Sequence, residues 1–140
     1  MNMAFGGAKI ALYLGDRLVV ILRDDHKGLP FAGCWDLPGG GREDDETPIE
    51  TVARELFEEL HIVLESTKII YEVRETVETR HGAAVHFFVA RWDGLADDGV
   101  VLGDEGQRWC WMPVSDFVSR KDVVAPLRGR LSRALQQITT

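Results

Sequence analysis

Three glutamates, Glu55, Glu58 and Glu59, lie within five consecutive residues of this chain. On a helix, side chains three and four positions apart share a face, and like charges at that spacing cost a few tenths of a kcal/mol per pair. Such a cluster is either a solvated face or a binding site for a cation that neutralises it. Carboxylate oxygens suit Mg²⁺, with Mn²⁺ as a substitute, better than zinc. A metal held there can act as a Lewis acid and lower the pKa of a bound water.

More residues stand at fixed distances from this cluster. The stretch from Gly40 to Glu59 reads Gly-x5-Glu-x7-Arg-Glu-Leu-x-Glu-Glu, which adds Glu46 and Arg54 to the set. It follows Trp-Asp-Leu-Pro-Gly-Gly-Gly, which begins at Trp35 and indicates a short strand that ends in a glycine turn. Because glycine has no side chain, the backbone there can approach a ligand closely.

The acids are predicted to lie on an amphipathic helix. Thr47 and Glu50 form a capping box, and Pro48 takes the first helical position, where its missing N–H has no cost. Apolar residues then recur at helical spacing and form a stripe that must be buried: Ile49, Val52, Ala53, Leu56, Phe57 and Leu60. One face therefore anchors the helix, and the opposite face carries the acids.

Residues 35–62 resemble the Nudix box, with the lead-in common in MutT-like members of that family. The chain departs from the pattern at His61, where the family has glycine; a helix usually ends there in a left-handed residue, which histidine tolerates. The resemblance implies an α/β/α sandwich around a mixed β-sheet. It further implies that Glu55, Glu58, Glu59 and the Gly39 carbonyl bind metal, and that Glu46 and Arg54 support them.

The implied reaction is Mg²⁺-dependent hydrolysis of a nucleoside diphosphate linked to another group, with a carboxylate accepting the proton of the attacking water. ADP-ribose hydrolases of the family tend to carry a proline beyond the box, where this chain has Val77, and the Ser-Gln-Pro-Trp motif of NADH-type members is absent. Both differences favour a MutT-like nucleoside triphosphate pyrophosphohydrolase. Hydrolysis of ADP-ribose, a dinucleoside polyphosphate or a nucleotide sugar stays open, as do a non-catalytic nucleotide-binding module and a metal-buffering domain.

Glu105 is the predicted additional acid from outside the box. It lies in a polar loop before an aromatic strand, and its Glu-Gly-Gln sequence resembles the corresponding loop of MutT-like proteins. The resemblance implies that Glu105 completes the metal site and the catalytic group. The alternative is an ordinary solvated loop acid, since loops carry most surface carboxylates.

Three residues are candidates for substrate binding. Arg23 follows a predicted strand and either contacts a phosphate or base or extends into solvent. Trp35 either stacks on a base or belongs to the core, and the same alternatives hold for Phe31 and Trp109. Gly40 belongs to the glycine turn that lets the substrate approach the backbone.

Length and composition predict one domain over residues 1–140, without repeats or linkers. A formal net charge of −7 argues against long nucleic acids as partners, although a nucleotide can still bind through metal. The N-terminus lacks a signal peptide or membrane span, and two widely spaced cysteines predict free thiols, so we expect a cytoplasmic protein. It is expected to be a monomer or a homodimer. No P-loop or dinucleotide fingerprint occurs.

The remaining elements predict an α+β protein. Residues 8–14 and 17–23 read as a hairpin around Gly15-Asp16, and residues 69–79 and 85–92 as a second hairpin around residues 80–82. A short strand at 108–112, a helical turn at 114–119 and an amphipathic C-terminal helix follow. This order differs from the regular alternation of a parallel α/β fold.

Overall fold

A mixed β-sheet forms the centre of the molecule. The computed structural model describes residues 4–76, 84–95 and 97–139. Within them the sheet has seven strands: β1 (Phe5–Leu14), β2 (Arg17–Leu22), β3 (Trp35–Asp36), β4 (Gly39–Gly41), β5 (Ile69–Thr76), β6 (Ala84–Arg91) and β7 (Arg108–Pro113). The helices are α1 (Pro48–Leu60), α2 (Val114–Ser119) and α3 (Ala125–Thr139), and single 3₁₀ turns span Ser66–Lys68 and Asp97–Gly99.

Strand β1 is the hub of the sheet. The main strand order is β3-β2-β1-β6-β5, with β4 paired to β1 and β7 paired to β2. β1 runs parallel to β6, whereas the pairings of β1 with β2 and β4 are antiparallel. The predicted hairpin around Gly15-Asp16 is confirmed, because Leu14 pairs with Arg17. The turn predicted at residues 80–82 lies outside the described residues, as does Val77.

Two hydrophobic cores cover the two faces of the sheet. Helix α1 contributes Val52, Leu56 and Leu60 to one core. Helices α2 and α3 cover the other face with apolar side chains that include Phe117, Leu127 and Leu131. The predicted α+β class and α/β/α sandwich are therefore confirmed. No helix among the described residues is long and apolar enough to cross a bilayer.

Both ends of α1 are set by local chemistry. The Glu50 amide donates to the Thr47 hydroxyl at 3.3 Å, and the Thr47 amide donates to the Glu50 carboxylate at 2.8 Å, so the predicted capping box is confirmed. At the other end His61 adopts the left-handed conformation with φ 59°. Its amide donates to the Phe57 carbonyl at 2.9 Å, which satisfies one of the free carbonyls of the last turn.

Two predictions about this region are wrong. Gly39–Gly41 is not a turn but strand β4, paired with Gly7–Lys9 of β1. A Cβ atom on Gly39 would lie 2.1 Å from the Ala8 carbonyl oxygen, so only glycine allows the two backbones to approach this closely. Phe57 is not buried in the apolar stripe: 49% of it is exposed, because it lies at the edge of the stripe and packs against the His61 ring.

Candidate active site

Arg54 joins the acidic residues of α1 and of the segment before it. Its guanidinium donates to Glu46 at 2.7 Å, to Glu55 at 2.9 Å and to Glu58 at 3.2 Å. It also donates to the Gly41 carbonyl at 2.8 Å. Repulsion among carboxylates on one helix face is thereby offset by a single planar cation. The structure thus brings together the predicted supporting pair, Glu46 and Arg54, with two of the predicted metal ligands.

Glu46 is held in its charged form by its hydrogen bonds. Hydrogen bonds from Arg54, the Glu43 amide and the Thr51 hydroxyl lower the pKa of Glu46 to about 2. The same partnership raises the pKa of Arg54 above its usual range. Glu46 therefore remains a carboxylate at any physiological pH and serves as a fixed anchor for the guanidinium.

Glu59 points in a different direction. Its carboxylate accepts a hydrogen bond at 2.9 Å from the amide of Gly39, which connects α1 to strand β4. Burial raises the pKa of Glu59 from 4.5 to about 8, against the opposing effects of the Gly39 amide and the Lys9 ammonium, and the charges of Glu55 and Asp36 raise it further. A buried carboxyl whose charge is not compensated has the property expected of a cation ligand.

An open cleft of about 400 Å³ runs along the acidic face of α1. Its lining residues come from the helix and from the loop before β7: Glu55, Glu58, Glu59, His61, Gly103, Asp104 and Glu105. The Gly103 amide donates to the Glu59 carbonyl at 2.8 Å, and the His61 Nδ1 atom lies 2.9 Å from the Val101 carbonyl oxygen. These contacts hold the loop against the end of α1, and Glu105 faces the same cleft as the three glutamates.

The donor set of this cleft fits a hard divalent cation. It consists of carboxylate oxygens and the nearby backbone of Gly39, which suit magnesium or manganese. A Cβ atom on Gly40 would lie 2.7 Å from the Glu55 carboxyl carbon, so glycine leaves the room that this carboxylate occupies. Across residues 4–76, 84–95 and 97–139, no three Asp, Glu, His or Cys side chains are arranged to hold an ion as they stand. Arg54 engages Glu55 and Glu58, whereas Gly39 engages Glu59.

The candidate substrate-binding residues are placed differently from one another. Arg23 lines a cavity of about 230 Å³ that also contains Glu59 and Glu105, and its guanidinium donates to Asp36 and to the Pro30 carbonyl. Trp35 is only 5% exposed and packs in the core beneath α2 and α3, so its ring is not available to stack on a base. Gly40 adjoins Glu55, as described above.

Two residues of the site escaped sequence analysis. They are Lys9, which lies within the apolar N-terminal strand, and Asp36, which lies in the lead-in to the three glycines. In the structure the Lys9 ammonium donates to the Asp36 carboxylate and to the Gly39 carbonyl. The signal that could have pointed to Lys9 is its charge. It lies in a strand in which the neighbouring residues are buried on both faces of the sheet.

Comparison with known proteins now identifies the family. The NUDIX domain model matches residues 6–135. The chain belongs to the Nudix family. A nucleoside triphosphate pyrophosphatase/Nudix hydrolase fusion protein of Bifidobacterium longum is 34% identical over 95 residues, which is 66% of this Nudix chain and 19% of that protein. An 8-oxo-dGTP diphosphatase of Proteus vulgaris is 37% identical over 62 residues, 44% of this chain and 55% of the other.

The fold of this Nudix chain matches a solved structure over nearly its whole length. The crystal structure of a MutT protein from Methanosarcina mazei Go1 superposes with a TM-score of 0.71 at 23% identity, and covers 98% of this chain and 97% of its own. This likeness concerns the fold alone. The chain spans about a fifth and about half, respectively, of the two relatives that it matches in sequence.

The raised pKa of Glu59 predicts how the stability of the metal-free protein depends on pH. The folded carboxyl holds its proton up to about pH 8, whereas the unfolded one releases it near 4.5. The folded state therefore binds more protons in this window, and stability falls as the pH rises through it. We expect metal-free Glu59→Gln to melt at least about 3 °C above the wild type at pH 8.5, which corresponds to roughly 1 kcal/mol in a domain of this size.

Thermal melts in the presence of chelator, from pH 5 to pH 9, measure this effect. The difference between the two proteins should shrink towards pH 5, where the wild-type carboxyl is protonated. Comparison of the two proteins at each pH cancels the contribution of Glu46, whose lowered pKa affects stability only in more acidic solution. A difference that stays constant across the range would contradict the assignment.

Proposed function

We propose that this chain is a Mg²⁺-dependent pyrophosphohydrolase of nucleoside diphosphate-linked compounds. We assign it more narrowly as a MutT-like nucleoside triphosphate pyrophosphohydrolase that releases the nucleoside monophosphate and pyrophosphate. One observation supports this above all: Glu55, Glu58 and Glu59 of α1 and Glu105 of the facing loop line one cleft. The names of the two relatives, a triphosphate pyrophosphatase fusion and an 8-oxo-dGTP diphosphatase, agree with it.

The four glutamates of the cleft and the Gly39 carbonyl have roles in this proposal. Glu55, Glu58, Glu59, Glu105 and the Gly39 carbonyl would hold Mg²⁺, or Mn²⁺ in its place. When bound, the metal polarises the phosphoric anhydride and lowers the pKa of water. A carboxylate, which we assign to Glu58, would accept the proton of the attacking water, because Glu58 is the most exposed of the three glutamates on α1.

Arg54 and Arg23 have supporting roles. Arg54 orients Glu55 and Glu58 through its fork of donors, anchored on Glu46. Arg23 lies beside the cavity that adjoins Glu59 and Glu105, where a guanidinium can bind a phosphate or a base. The free thiols of Cys34 and Cys110 agree with the cytoplasmic location that we propose.

Identification of products from a substrate panel tests the proposal. The protein is incubated with Mg²⁺ and nucleoside triphosphates, their oxidised forms, ADP-ribose, dinucleoside polyphosphates and nucleotide sugars, and the products are separated by ion exchange. We expect monophosphate and pyrophosphate from at least one triphosphate, and no product when chelator replaces Mg²⁺. Faster cleavage of ADP-ribose or a dinucleoside polyphosphate would reassign the substrate. Binding without cleavage of any compound would indicate a non-catalytic module.

A further inference from the structure

Lys9 occupies a position where the strand pattern calls for an apolar residue. Alternate residues of β1 face opposite sides of the sheet, and Ala11 and Tyr13, in the same series as Lys9, belong to the core beneath α2 and α3. The Lys9 side chain is only 24% exposed. Because a buried ammonium is costly unless it is paired, a lysine here requires partners that repay its desolvation.

Three acceptors satisfy the ammonium, and all of them come from one short segment. Lys9 Nζ donates to Asp36 Oδ2 at 3.0 Å, to the Leu37 carbonyl at 3.1 Å and to the Gly39 carbonyl at 3.2 Å. An ammonium has three donors, so the set is complete. Arg23 also donates to Asp36 Oδ2 at 3.0 Å. Since Arg23 already pairs with Asp36, the interactions that Lys9 alone provides are its hydrogen bonds to the two carbonyls.

Gly39 is consequently held from two directions. Its amide donates to Glu59 of α1 at 2.9 Å, and its carbonyl accepts from Lys9 of β1. Strand β4, which begins at Gly39, consists of three glycines and has no side chains to pack. Glycine loses more conformational freedom on folding than any other residue, so this strand depends on such contacts for a defined conformation.

We propose that Lys9 is a positioning residue that fixes the Gly39 carbonyl beside the acidic helix. A carbonyl oxygen has two lone pairs, so a hydrogen bond from Lys9 leaves one for a cation. The inference rests on the proposed function in so far as Gly39 is a metal ligand. Removal of a residue that orients a metal ligand typically lowers metal affinity by 10- to 100-fold.

A purely electrostatic role for Lys9 predicts the opposite change in the affinity for a divalent cation. If Lys9 acted only through its positive charge, its removal would leave the cleft more negative and strengthen the binding of a divalent cation. If Lys9 orients the carbonyl, its removal weakens that binding although the local charge has become more favourable. The sign of the change therefore separates the two roles.

Titration of Mn²⁺ into the nucleotide-free protein, followed by electron paramagnetic resonance, measures this sign. We expect Lys9→Met to bind Mn²⁺ about 10- to 100-fold more weakly than the wild type, and Lys9→Arg to recover part of the loss. The matched control is Lys121→Met, which removes the same charge from an exposed position before α3 and should leave the affinity unchanged. A loss of less than tenfold in Lys9→Met, or tighter binding, overturns the proposal.

A second measurement needs no variant and keeps the proposal testable if Lys9→Met fails to fold. In isotope-labelled wild-type protein, the hydrogen bond predicts a scalar coupling between Lys9 Nζ and the Gly39 carbonyl carbon. Its detection supports the positioning role, and its absence overturns it. Neither measurement requires turnover, so failure of this inference is distinguishable from failure of the proposed hydrolase activity.

Discussion

Turnover by a Glu58→Gln variant is expected to fall by roughly 10³-fold, within the range for the loss of one general acid or base. The amide keeps the shape of the side chain but loses the charge that both a divalent cation and the proton of the attacking water require. Stability should change little, because 55% of the Glu58 side chain is exposed and Arg54 keeps its bonds to Glu46 and Glu55. The measurement is kcat for pyrophosphate release at saturating Mg²⁺, together with a thermal melt.

Glu65→Gln provides a matched control for this experiment. Glu65 is an exposed glutamate that lies after α1, and its side chain makes no capping hydrogen bond to the 3₁₀ turn that it precedes. The same loss of charge there should leave kcat unchanged. If Glu58→Gln retained more than a tenth of the wild-type rate, Glu58 would not be the proton acceptor, and the assignment would pass to another acid of the cleft.

The Arg54→Lys variant should lose both activity and stability. The guanidinium donates to four separate groups in different directions, Glu46, Glu55, Glu58 and the Gly41 carbonyl, whereas an ammonium has three donors on one atom. We expect kcat to fall about 10- to 100-fold, as for loss of a partner that orients a ligand. The melting temperature should fall by several degrees, because repulsion among the acids is then only partly offset.

Addition of Mg²⁺ tests whether the loss of stability in Arg54→Lys comes from repulsion among the acids. A cation bound among the acids should raise the melting temperature of the variant more than that of the wild type, since it relieves repulsion that Arg54 otherwise offsets. Arg17→Lys is the control, because Arg17 is exposed at the start of β2. Wild-type kcat and melting behaviour in Arg54→Lys would show that the four contacts do not organise the cleft.

Helix α1 was predictable because its signals are local. The capping box, the proline at the first helical position and the left-handed residue at its end each act within a few residues, and the structure shows all three. The acids follow from the same spacing. Strand β4 was missed because Gly39–Gly41 carries no alternation of polar and apolar side chains, and only its pairing with β1 makes it a strand.

Contacts across the fold were not predictable in the same way. The Lys9–Asp36 pair joins residues 27 positions apart, and a single sequence contains no record of that approach. For Trp35 the difficulty lies in its two-residue strand, which is too short to show by alternation which face its indole takes. Glu105 was predicted by resemblance alone, since one acid in a polar loop has no pattern of its own.

His61 stands where the Nudix box usually has glycine, and its ring lies against Val101 in the loop that carries Glu105. Glycine there would relax the backbone but remove the contact between the His61 ring and the Val101 carbonyl. The departure from the family pattern thus imposes some backbone strain at His61 but adds a contact to the loop that carries Glu105. A substitution of His61 would therefore loosen the loop on that side of the cleft more than it would fray the end of α1.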